Sequence, residues 1–128
     1  FKTARYHLKP GGIFIFDIWY GPAVLTQRPE VRIKRMSDEI IEVTRLAEPV
    51  LHPNENRVDV NYHVFVRDRK TDAVKEFKET HVMRYFFKPE IENIANQSGF
   101  EILHAEEWMT GTPIEQNTWG ACFILKSS

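Results

Sequence analysis

The sequence has one cysteine, Cys122, among 128 residues, so no internal disulfide can staple it. Cys122 lies in an apolar strand-like run, which predicts a buried structural thiol and fits a reducing, cytoplasmic setting. No run of about 18 apolar residues occurs, which excludes a membrane-spanning helix. Charge of one sign is not in excess. With 17 Lys and Arg against 18 Asp and Glu, the net charge is -1, and nothing marks a nucleic-acid footprint. His7, His52 and His104 are scattered without metal-ligand spacing, so no metal is expected. The chain also lacks an initiating methionine. Starting on Phe1, with no apolar targeting segment, is expected of a piece cut from a longer polypeptide. The length is one domain's worth, enough to bury about two-thirds of its unfolded surface.

What is present is organised around Leu8-Lys-Pro-Gly-Gly-Ile-Phe-Ile-Phe-Asp-Ile-Trp-Tyr20. Phe1 to Leu8 reads as the last turns of a helix, and Pro10 ends it. Gly11 and Gly12 permit a tight turn. Ile13 to Phe16 is an uncharged run of β-branched and aromatic residues, as in a strand buried on both faces. The run ends at Asp17, with Trp19 and Tyr20 beyond. Open α/β sheets bind ligands at the carboxyl ends of their strands.

Gly21-Pro22 breaks the strand, and Ala23 to Leu25 is read as one helical turn. The middle then changes period. Val31 to Arg35, Ile40 to Arg45, Val58 to Val66 and Lys75 to Phe87 alternate apolar with polar residues, the signature of half-buried antiparallel strands. Turn residues separate them at Met36–Glu39, His52–Asn56 and Asp68–Asp72. A four-strand meander is predicted. Pro89 to Gly99 is the clearest helix, with Pro at its first turn, Glu90 and Glu92 near its positive end, and Gly99 to close it. Phe100 to Trp108 and Trp119 to Lys126 read as strands joined by a loop with Gly111 and Pro113. No internal repeat is evident.

The Leu8-Lys-Pro-Gly-Gly12 turn ahead of a hydrophobic strand resembles the approach to the fifth strand of class I S-adenosylmethionine-dependent methyltransferases. The Phe16-Asp-Ile-Trp-Tyr20 tip is similar to that of small-molecule N-methyltransferases of the sugar- and glycine-methylating kind. The phrase Met83-Arg-Tyr-Phe-Phe-Lys-Pro-Glu-Ile-Glu92 and the Gly99-Phe-Glu101 start of the next strand are similar to the family's last helix and sixth strand. The resemblance spans essentially the whole chain. It implies an α+β fragment of an α/β Rossmann-like fold: the last three strands of the main sheet, the final one antiparallel, an inserted β-meander, and one or two helices. Residues 1–20 and 88–128 would be the end of that sheet, and 30–87 an inserted substrate-covering sheet, within a single domain over 1–128. The Gly-rich loop and the acidic strand end that hold S-adenosylmethionine in this family have no counterpart here, because Gly11-Gly12 precedes a strand instead of opening a helix. The resemblance therefore implies S-adenosylmethionine as cofactor of a full-length enzyme, with this fragment alone inactive.

Methyl transfer asks the acceptor half for shape, aromatic walls and a few polar anchors. Asp17, Trp19 and Tyr20 stand where the sheet's carboxyl edge would meet an acceptor. Asp17 could anchor an amine or hydroxyl, or cap nearby backbone. Arg84 could bind an anionic acceptor group or serve in an ion pair. His81 is a weak candidate general base; its odd separation from Arg84 puts the two on opposite faces. His63 is expected at the surface. Trp108 and Trp119 could wall an acceptor pocket or pack in the core, and Glu115 and Asn117 could add polar contacts. The partners implied are a small-molecule acceptor, with N favoured over O, and a second copy of the chain paired through an open strand edge. Neither nucleic acid nor membrane is implied. The alternative is a stand-alone, non-catalytic β-rich ligand-binding or interaction module. That alternative requires Phe1–Tyr20 to pack as part of one closed sheet with the meander. The methyltransferase resemblance requires Ile13–Asp17 to pair with Trp119–Lys126.

Overall fold

A computed structural model describes residues Phe1–Ser128. The chain divides into two compact units, one made of Phe1–Gln27 and Arg84–Ser128, the other of Arg28–Met83. No helix is long and apolar enough to cross a membrane.

The first unit contains α1 (Lys2–His7), β1 (Ile13–Tyr20), α2 (Gly21–Gln27), the end of β5 (Val74–Phe86), α3 (Lys88–Gln97), β6 (Phe100–Glu107) and β7 (Gly120–Ser127). Strand β7 lies antiparallel between β1 and β6. Its register sets Ile13 opposite Lys126 and Asp17 opposite Cys122, the pairing the methyltransferase resemblance requires. The last residues of β5 pair in parallel with β1, Tyr85 opposite Trp19 and Phe86 opposite Tyr20. The fold is thus the terminal portion of a mixed Rossmann-like sheet. Helix α2 is a full seven residues, longer than the single turn expected.

Alternation along the strands decides the core. Ile18, Ala121, Phe123, Leu125 and Phe100 point to one face and pack on Ile91 and Ala95 of α3. Phe14, Phe16 and Tyr20 join them, with Phe16 stacked on Phe123 at 5.7 Å between ring centroids. Helix α3 starts with Pro89 in its first turn, where the missing N–H costs nothing, and ends at Gly99, whose φ of +74° suits glycine. The Pro-Gly-Gly turn is held from the far end of the chain. Ser127, 2% exposed, donates its hydroxyl to Lys9 O at 2.6 Å, and its Oγ accepts from Gly12 N at 3.1 Å. Gly11 takes a φ of +79° and donates to Ser127 O at 2.9 Å. A side chain at Gly12 would stand 2.9 Å from Lys9 O, so the turn requires glycine there as well.

The second unit is the meander: β2 (Arg32–Ser37), β3 (Ile41–His52), β4 (Arg57–Asp68) and the first part of β5. β2 pairs antiparallel with β3, and β3 with β4 over twelve residues. Two aspartates build the turns. Asp38 Oδ1 accepts from Ile40 N at 2.7 Å and Ile41 N at 2.8 Å. Asp68 Oδ1 accepts from Lys70 N and Thr71 N at 2.8 and 3.0 Å. These backbone donors favour the charged carboxylate and hold both groups below the usual aspartate range. One face carries the ion pairs Arg67–Glu42 and His63–Glu76 and the Thr80–Asn61 bond. The other carries buried Val58, Val60 and Val64.

Candidate functional site

The face of the first unit's sheet turned away from α3 reads in rows across β1, β7 and β6. Ile13, Lys126 and Glu101 form the first row, and Ile15, Ile124 and His104 the second. Ile13 and Ile15 are 47% and 59% exposed, so this apolar patch has no cover within the chain. The third row is Asp17, Cys122 and Glu106. The fourth lies at the carboxyl end of β1. It runs Tyr85, Trp19, Gly120 and Trp108, with Trp108 N donating to Gly120 O at 2.9 Å.

Gly120 opens a gap between two indoles. Neighbouring strands stand about 4.8 Å apart, so Trp19 and Trp108 flank it with Cα atoms about 10 Å from one another. A Cβ at Gly120 would meet Trp108 Cβ at 3.4 Å. Trp19 packs edge-on with Trp119, ring centroids 5.3 Å apart at 65°. The Trp119 loop is held by Gln27, whose Nε2 donates to Asn117 O at 3.1 Å, and by buried Thr118, whose Oγ1 accepts from Glu115 N at 3.0 Å. Tyr85 is fully buried, yet its hydroxyl has no hydrogen-bond partner. A buried unpaired hydroxyl costs about 1–3 kcal/mol. Burial pushes the Tyr85 phenol up from its usual range. Burial, then the Glu106 and Asp17 carboxylates, push the Cys122 thiol up, so it stays protonated and unreactive at neutral pH.

The row order is a chemical gradient: apolar, then two carboxylates about a strand-pair width apart, then aromatic walls. Aromatic side chains in a row beside two carboxylates suit a cationic amine.

Of the residues singled out from sequence, Asp17, Trp19 and Trp108 share this face, and Trp119 and Asn117 support it. Tyr20 does not; alternation turns it onto the α3 core. Arg84 also faces that side, paired with Glu90 and stacked over Phe86 at 4.3 Å. His81 belongs to the second unit, 4.9 Å from the Tyr62 ring centroid and 3.2 Å from Glu79 Oε2. The sequence reading does not single out Tyr85, Gly120 or Glu106.

The strand order and the long antiparallel meander decide the likeness. In fold, the chain resembles part of an S-adenosylmethionine-dependent methyltransferase. The structure of such a methyltransferase from Clostridium acetobutylicum matches 99% of this chain and 49% of its own, at 26% identity and a TM-score of 0.79. An amino pentose methyltransferase of calicheamicin biosynthesis from Micromonospora echinaspora, solved with S-adenosylmethionine bound, matches 99% of this chain and 48% of its own, at 18% identity and a TM-score of 0.70. A sugar N-methyltransferase from a Streptoalloteichus species matches 96% of this chain and 46% of its own, at 16% identity and a TM-score of 0.70. The chain spans about half the length of the structures it matches. No protein-family model and no curated protein matches it.

The chain's one Gly-Gly turn, Gly11-Gly12, is committed to Ser127, ahead of a strand.

Proposed function

We propose that the chain is the C-terminal, acceptor-binding half of a small-molecule S-adenosylmethionine-dependent methyltransferase, with an amine nitrogen as acceptor in preference to an oxygen. The observation that carries the reading is the Trp19–Gly120–Trp108 row beside Asp17 and Glu106. An amine arrives protonated near neutral pH. The indoles and carboxylates hold it, and a carboxylate or water takes its proton so that the nitrogen presents a lone pair. Cofactor binding belongs to a preceding segment, so the fragment alone is inactive. The meander over residues 30–87 serves as the acceptor-side cover, and His81 stands there as the weakest candidate base. The edge of β1 from Ile13 to Ile18, which carries no parallel neighbour, is the seat of that preceding segment or, in its absence, of a second copy. The setting is cytoplasmic, and the partners do not include nucleic acid.

The test is equilibrium binding of matched amino and hydroxy sugars to the 128-residue chain, and of S-adenosylmethionine to the chain with and without its upstream coding sequence. Amino sugars should bind at least about tenfold tighter than hydroxy sugars, the worth of one charged hydrogen bond. Strong cofactor binding by the 128 residues alone, or no preference for the amine, would overturn the reading.

A further inference from the structure

The second unit carries a cluster that the acceptor cleft does not use. On the face of the meander that holds Val58, Val60 and Val64, Lys34 of β2 stands directly opposite Arg45 of β3, and Arg32 lies two residues along, opposite Ala47. The other side of Arg45 faces Val64. The remaining opposite and diagonal positions on this face are Met36, Val43, Tyr62 and Val66, none of them acidic. Like charges directly opposite one another destabilise an antiparallel pair. Here that repulsion is built into the pairing of the edge strand β2 with β3.

Arg45 is also held ready. Its guanidinium lies over the Tyr62 ring at 5.0 Å to the centroid, and its Nε is buried without a hydrogen-bond partner. The ring fixes the plane of the fork, and a planar fork recognises an oxyanion through two parallel N–H donors. Beyond Tyr62 the edge-on His81 ring is tied to Glu79, so the one nearby acid is already engaged.

We propose that Arg45, Lys34 and Arg32 form a binding site for an oxyanion group of a small molecule, a phosphoryl group or a carboxylate, with Tyr62 as the platform that orients Arg45. An anion seated there cancels the Lys34–Arg45 repulsion. Binding therefore stabilises the sheet by mass action.

The test is calorimetric titration of the 128-residue chain with pyrophosphate, inorganic phosphate and succinate, at ionic strength held constant with sodium chloride. Saturable binding with a rise in Tm is expected. Pyrophosphate and phosphate alone would assign a phosphoryl group, succinate alone a carboxylate, and all three a general oxyanion site. Arg45→Gln should weaken binding about tenfold or more, the worth of a charged hydrogen bond. Lys34→Met, at an exposed position that tolerates change, should weaken binding and raise the anion-free Tm. Circular dichroism of both variants checks that they fold. No saturable binding, or binding untouched by Lys34→Met and by folded Arg45→Gln, would overturn the proposal. The titration reads no chemistry, so its failure leaves the methyl-transfer reading standing, and loss of that reading leaves the anion site intact.

Discussion

Gly120→Ala separates stability from binding at one position. Glycine inside a strand is costly, because the unfolded chain has more freedom to lose and the folded strand lacks a side chain to pack. The Gly120 backbone is not in the positive-φ region, so alanine fits it. The added Cβ would meet Trp108 Cβ at 3.4 Å and Cγ at 4.0 Å, ordinary van der Waals contact. The variant should therefore be as stable as the parent or more stable by about 0.4–1 kcal/mol. The same methyl group fills the floor between Trp19 and Trp108. A ligand seated there must rise or push an indole aside, an overpacking cost of about 1–3 kcal/mol. Binding of an amino sugar should fall by about fivefold to a hundredfold. Urea denaturation reads the first quantity and calorimetric titration the second. A stable variant that binds the amine as well as the parent would refute the placement of the cleft, because nothing could then occupy the gap that Gly120 leaves.

The same substitution at Gly21 should have the opposite sign. A Cβ there would lie 2.5–2.8 Å from the Phe87 ring, so Gly21→Ala should cost about 1–3 kcal/mol in urea denaturation, and an unchanged midpoint would contradict the packing. Acid should loosen the meander turns. The folded-state pKa values of Asp38 and Asp68 lie below the ordinary 3.8, so their contribution is fully present above 3.8 and is lost as pH falls through the lowered values. An Asp38→Asn/Asp68→Asn variant should show a flatter decline of stability below that pH than the parent, followed by circular dichroism. Equal slopes would remove both turns from the account.

Much of the fold is legible because period and punctuation agree. Alternation marks β3 only as far as Arg45 and β4 from Val58 to Val66, where Val58, Val60 and Val64 take the buried side. Pro89 and Gly99 bracket α3 because the first needs no N–H and the second tolerates a positive φ. The run Ile13 to Phe16 is only half legible. Its composition predicts burial on both faces, yet Ile13 and Ile15 are exposed, because no layer of this chain lies over their side of the sheet.

The candidate site is harder to read, and one residue shows why. Glu106 reaches the row of Asp17 and Cys122 only through an irregularity between Ile102 and His104, where Leu103 is an extra residue in β6. Strict alternation from Phe100 would put Glu106 on the α3 face with Phe100 and Ile102. The bulge reverses that phase, sending Ala105 and Glu107 inward and Glu106 and Trp108 outward. Two adjacent apolar residues, Ile102-Leu103, followed by two adjacent acids, Glu106-Glu107, are the trace of this in the sequence, but local sequence does not say which member of each pair faces the core. Tyr85 is hidden for a related reason. Beside Arg84 it looks like packing, and only its parallel register with Trp19, set by residues more than sixty positions apart in the chain, puts it in the aromatic row. Side-chain chemistry can be read one residue at a time. Which side chains share a face depends on register, and register is decided across strands.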